Sequence, residues 1–144
     1  MSLKDANVAT RLPARDLQRA RAWYAEKLGL DPDEEREGGL LYRIGDSEFV
    51  LFESAGQSDG AFTQMAFTVS DIATEMADLR NRGVVFETYD DPAFRTQDGI
   101  AEITGNYPSK GDGERACWFR DSEGNLLAMG QAYSLKGSSP GALA

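Results

Sequence analysis

The chain has 144 residues, 24 acidic and 15 basic side chains, a formal net charge of −9, one cysteine and no histidine. A surface of that sign repels phosphate backbones, which excludes general nucleic-acid binding, and it favours a cationic partner. No apolar stretch approaches the ~20 residues of a bilayer span, and the opening Met1-Ser2-Leu3-Lys4-Asp5-Ala6 lacks the apolar core of a secretory signal. A cytoplasmic protein with no membrane partner is expected.

Taken in chain order, Asn7 to Leu12 alternates and is rich in strand formers, and Pro13 to Asp16 interrupts it. Asp16 suits a helix N-cap; Leu17, Ala20, Tyr24 and Leu28 follow at helical spacing, and Gly29 stops the helix. A short strand around Asp33 to Arg36, a strand from Leu40 to Ile44, a turn at Gly45-Asp46-Ser47 and a strand from Glu48 to Glu53 complete a βαβββ unit. The polar stretch Ser54 to Gly60 reads as a linker.

The pattern then repeats. Gln64 to Val69 alternates as a strand, Ser70-Asp71 caps a helix with a stripe of Ile72, Met76 and Leu79, and Gly83 ends it. Val84 to Thr88 predicts a strand, Asp90 to Gly113 a long loop, Arg115 to Arg120 a strand, Asp121 to Asn125 a tight turn and Leu126 to Gln131 the last strand. Gln64 stands to the second half as Asn7 does to the first, and Gly83 as Gly29, so the sequence describes two similar αβ modules. The expected organisation is one domain over residues 1–133, with modules at 6–54 and 61–132, and a flexible tail at 134–144.

The stretch from Asn7 to Leu30, with Gln64 to Asp71 and the closing Phe119-Arg-Asp-Ser-Glu-Gly-Asn-Leu-Leu127, resembles the vicinal oxygen chelate superfamily of glyoxalases, bleomycin resistance proteins and extradiol dioxygenases. Ser122 stands where proline is commoner in that pattern. The resemblance implies an α+β fold of two βαβββ modules, paired ferredoxin-like cups forming a half-open curved sheet with helices on the outer face. It also implies four ligand positions for a metal, on the first and last strands of each module. Here these carry Asn7, Glu53 or a neighbour, Gln64 and Ala128.

Such a donor set lacks the histidines that non-haem iron or a catalytic zinc requires. No metal ligand and no cofactor is therefore expected. The lone Cys117, in the apolar run Ala116-Cys117-Trp118-Phe119, reads as a small core residue with no histidine to activate it.

Strand parity assigns the cup lining. With Asn7 facing inward, Ala9 and Arg11 follow, while Val8, Thr10 and Leu12 face the helix. Gln64, Ala66 and Thr68 face the second cup, Phe49, Leu51 and Glu53 share the cup side of their strand, and Leu126, Ala128 and Gly130 that of theirs. Trp118 adds an aromatic wall or packs in the core, and Tyr107 adds one from the long loop. Glu53 pairs with a cationic ligand, acts as a base, or is a plain rim carboxylate; Arg11 holds a carboxylate ligand or pairs with a neighbouring acid. Arg43, Arg95 and Arg115 read as surface charges.

The leading expectation is a metal-free protein of the bleomycin-resistance kind, binding an aromatic or cationic small organic ligand through Asn7, Arg11, Phe49, Leu51, Glu53, Gln64, Tyr107, Trp118 and Ala128. The alternative is a metal-independent lyase or isomerase with Glu53 as its catalytic base; a metal-dependent lyase or dioxygenase ranks last. The resemblance also implies a homodimer, the commonest symmetric assembly.

Overall fold

The computed structural model describes residues 2–92, 94–105, 107 and 110–134, so the expected tail falls outside the described residues except for Ser134. The fold is mixed α+β, built as two four-stranded sheets of the same topology. In the first half, β1 (Thr10–Ala14), α1 (Leu17–Trp23), β2 (Glu34–Arg36), β3 (Gly39–Ile44) and β4 (Ser47–Glu53) form a sheet of order β1-β4-β3-β2. In the second, β5 (Thr63–Thr68), α2 (Ile72–Asn81), a small β6 (Asp90–Asp91) and β7 (Phe94–Arg95) hairpin, β8 (Ala101–Thr104), β9 (Gly113–Arg120) and β10 (Leu126–Tyr133) give β5-β10-β9-β8. In both sheets the strand before the helix pairs in parallel with the last strand. The chain divides into two compact units, residues 1–59 with 121–125, and 60–120 with 126–144. No helix among the described residues is long and apolar enough to cross a membrane.

The helices begin and end where the sequence marks them. Asp16 accepts a hydrogen bond from the Arg19 N–H and Asp71 one from the Thr74 N–H, each satisfying a donor that the first helical turn leaves open. The first helix runs on from α1 into a five-residue π turn, Tyr24–Leu28, and stops at Gly29, whose φ of 69° is left-handed and costs a glycine nothing. On the face toward the sheet, the Tyr24 ring lies 5.7 Å from Tyr42 and 5.8 Å from Phe49, and Tyr42 and Phe49 stack at 4.8 Å. Burying rings of this size contributes about 2 to 3 kcal/mol each. They form the core of the first unit with Leu12, Leu40 and Leu51.

Three expected boundaries are corrected. The first strand starts at Thr10, not Asn7, and includes Pro13. Proline is tolerated there because β1 is an edge of its sheet, where one side of the backbone needs no ladder donor. Val8, expected to face the helix, precedes the strand and is 96% exposed. Val84 to Thr88 is not a strand: Phe86 makes one isolated bridge to Phe119, and the Glu87 N–H donates to the Trp118 carbonyl. The edge of β9 is shared, with this segment along its later half and β8 along Gly113 to Ala116. The strand that completes the second sheet thus comes from inside the expected loop.

The turn Asp121–Asn125 carries the buried polar groups of the first unit. Asp121 accepts four hydrogen bonds: to Oδ1 from the N–H groups of Glu123 (2.8 Å) and Asn125 (3.0 Å), and to Oδ2 from the Tyr24 hydroxyl (2.7 Å) and Asn125 Nδ2 (2.8 Å). Burial nevertheless outweighs these bonds and holds the Asp121 carboxyl above its usual range. Glu123 shows the reverse balance. Burial pushes its carboxyl up, but hydrogen bonds from Arg19, the Asp16 N–H and Ser122, together with the Arg19 charge, prevail and bring it down to about 2.

A depressed carboxylate stabilises the fold above its unfolded pKa, and that contribution is lost as pH falls through the folded value. For Glu123, with its side chain 1% exposed, the window runs from an ordinary value of 4.5 down to about 2. The contribution is on the order of 3 kcal/mol. Urea unfolding at a series of pH values should therefore show Glu123→Gln less stable than the native chain by about that amount at pH 7. The gap should close between pH 4.5 and 2. A constant gap across that range would disprove the assignment. Asp121, raised rather than lowered, acts with the opposite sign in both proteins and cancels in the difference.

Candidate functional site

Each sheet has one face under its helix and one open face, and cross-strand register decides which residues stand on which. In the first sheet Leu12 lies opposite Leu51 and Arg11 opposite Val50. Leu12 is buried beneath the helix, so Leu51 shares that face, and Phe49 with it. The expectation that Phe49, Leu51 and Glu53 line the cup is thereby corrected. The open-face residues of β4 are Glu48, Val50 and Phe52. Glu53 is exposed at the strand end, opposite Ala14, and borders a cleft of about 430 Å³ with Asp16, Gln18 and Arg36.

The open face of the first unit is an apolar strip between charged ends. Leu41, Val50 and Phe52 are half-buried; Leu41 lies opposite Val50, and Phe52 follows two residues along β4, opposite Gly39. At one end Arg43 is ion-paired to both Glu34 and Glu48, the latter at 3.1 Å. Beyond it a cleft of about 510 Å³ is lined by Asn7, Thr10, Arg43, Ser47 and Glu48. At the other end the Arg11 guanidinium lies 4.5 Å from the centre of the Phe52 ring, a cation–π contact.

The open face of the second unit is covered. Ala101, Ala116, Trp118, Leu126 and Ala128 form one buried apolar cluster, with Tyr89, Phe94 and Ile103 packed against it. Trp118 meets Phe94 edge-on at 4.8 Å and Tyr89 at 5.6 Å, and its Nε1 donates to Thr63 Oγ1 at 3.1 Å. Parity places Trp118 and Ala128 on this face as expected, but packing surrounds both. Tyr107, expected as an aromatic wall, is 82% exposed. Glu114, which no sequence signal singles out, is buried with its carboxylate against Gly130, where an added Cβ would come within 2.6 Å of it.

The four positions where the resemblance implies metal ligands have these surroundings. Asn7 is exposed and precedes β1. Glu53 stands on the helix side of its sheet. Gln64 sits at a bulge, where the register skips between Leu126 and Leu127, and its Oε1 accepts the Leu126 N–H at 3.3 Å. Ala128 offers no donor atom. Among the described residues no group of three or more His, Cys, Asp or Glu side chains could hold a metal ion. This donor set does not fit a catalytic metal.

A family model, Glyoxalase/Bleomycin resistance protein/Dioxygenase superfamily, matches residues 7–129. Among solved structures, a glyoxalase/bleomycin resistance protein/dioxygenase from Alicyclobacillus acidocaldarius is 16% identical, with a TM-score of 0.66 over 93% of this chain and 96% of that one. A bleomycin resistance determinant encoded on the transposon Tn5 is 20% identical, with a TM-score of 0.59 over 88% and 97%. TnmS3, an antibiotic binding protein from Streptomyces sp. CB03234, is 17% identical, with a TM-score of 0.58 over 90% and 98%. Likeness at these identities concerns the fold alone. No curated protein matches the chain.

Cys117 lies on the helix face of β9, fully buried, and burial pushes its thiol up to about 12. It should resist a thiol reagent such as dithionitrobenzoate at pH 8 and react only as fast as the second unit opens. Labelling of the native chain at the rate of a free thiol would contradict that placement.

Proposed function

Since the chain belongs to the glyoxalase/bleomycin resistance protein/dioxygenase superfamily, we propose that it is a non-catalytic member that binds a small organic ligand without a metal. The observation that carries this reading is the character of the positions a metal would use: an exposed amide, a carboxylate on the helix side, an amide already bonded to backbone, and an alanine. In their place the first unit presents a half-exposed apolar strip of Leu41, Val50 and Phe52, a surface suited to a flat organic body. Two structural neighbours, named as a bleomycin resistance determinant and an antibiotic binding protein, support binding rather than turnover. Glu53 is less suited to be a base than its sequence position suggests, because it stands exposed at the strand end, on the side away from the open face.

Native mass spectrometry of the full chain, purified without added metal, gives the direct test. The expected spectrum shows a co-purified organic mass or accepts an added neutral aromatic probe such as 2-naphthamide, and elemental analysis finds well under one equivalent of any transition metal. Chelator should leave both binding and melting temperature unchanged. Stoichiometric metal, or binding lost on chelation, would overturn the proposal. The same spectrum reports whether the chain is the homodimer that this reading expects.

A further inference from the structure

We infer that the ligand held on the open face of the first unit carries an anionic group, a carboxylate or its equivalent, beside its flat apolar body, and that Arg11 reads it. The inference rests on the proposed binding role and names the class of ligand. Its first support is the state of Arg11. A guanidinium offers five N–H donors, and the chain has 24 acidic side chains against 15 basic ones. Yet the Arg11 side chain makes no ion pair or hydrogen bond among the described residues, and its guanidinium lies over the Phe52 ring, 4.5 Å from the centroid. The acids around it are committed elsewhere. Glu48, on the same face, is paired with Arg43, and Glu53 stands on the opposite face.

The second support is placement. Arg11 lies opposite Val50 on β4, and Leu41 lies opposite Val50 on β3, so the cation stands at the end of the apolar strip. The Phe52 ring restrains the guanidinium against that strip while leaving its donors unbonded, and a guanidinium fork matches the two oxygens of a carboxylate. A flat ligand on Val50 and Leu41 would bring an acidic substituent to Arg11.

A cationic ligand in the same pose would set like charge against like charge. The net charge of −9 does not reverse this, because screening confines it to within about 8 Å at physiological salt. The cationic ligand expected from overall charge is thus replaced by an anionic one, on local grounds.

Three probes of one shape, 2-naphthoate, neutral 2-naphthamide and 2-naphthylmethylammonium, test the inference. Each is titrated into the full chain and followed by backbone amide shifts. The naphthoate should bind at least fivefold more tightly than the amide, with shifts at Val50 and Phe52, and the ammonium should bind most weakly. Arg11→Gln, with an unchanged melting temperature, should bring naphthoate to the level of the amide and leave the amide unmoved; Arg11→Lys should keep part of the preference. A tighter amide or ammonium, or a preference that survives Arg11→Gln, would overturn the anionic assignment and leave small-molecule binding standing. No shift at Val50 or Phe52 with any probe would overturn both.

Discussion

In both sheets one face is closed by a helix, and strand register decides which residues remain on the other face. Side chains on a strand alternate with a period of two, so a single cross-strand pair fixes the whole set. In the first unit that pair is Leu12 opposite Leu51. Because Leu12 is buried beneath the helix, Leu51 and Phe49 join Tyr24 and Tyr42 in the core, and Arg11, Val50 and Phe52 are left outside. The aromatic and cationic groups of the open face are the complement of the core.

The two units use their open faces differently. The second fills its own with Trp118, Leu126 and the rings of Tyr89 and Phe94, brought there by the segment between α2 and β8. The first has no such insertion, since only the short link from Gly29 to Asp33 separates the end of its helix from β2. Two modules of one topology therefore yield one occupied face and one strip of half-exposed apolar residues.

The turn Asp121–Asn125 shows a different economy. It puts two carboxylates and an amide out of water, and each is tolerated only because its oxygens or N–H groups are bonded. Tyr24, placed by the helical stripe, spends its hydroxyl on Asp121, and Arg19 closes on Glu123 through two hydrogen bonds. Gly124 is required here in the strict sense. Its φ is 84°, and an added Cβ would meet the Ser58 carbonyl at 2.9 Å.

The sequence by itself determined the caps at Asp16 and Asp71, both helical stripes, the stop at Gly29, the repeated βαβββ order and the family, because these are local signals or fixed spacings. It also showed that the chain has no histidine, since residue type is read directly from the sequence. Tertiary structure decided the faces. The strand from Glu48 to Glu53 is apolar on both sides (Phe49 and Leu51 against Val50 and Phe52), so alternation alone carried no sign, and only pairing with β1 chose between them. It also decided that Gln64 serves a backbone N–H, that β8 rather than Val84 to Thr88 completes the second sheet, and that the polar turn at Asp121 is buried. Each of those depends on partners far along the chain, which no window of sequence contains.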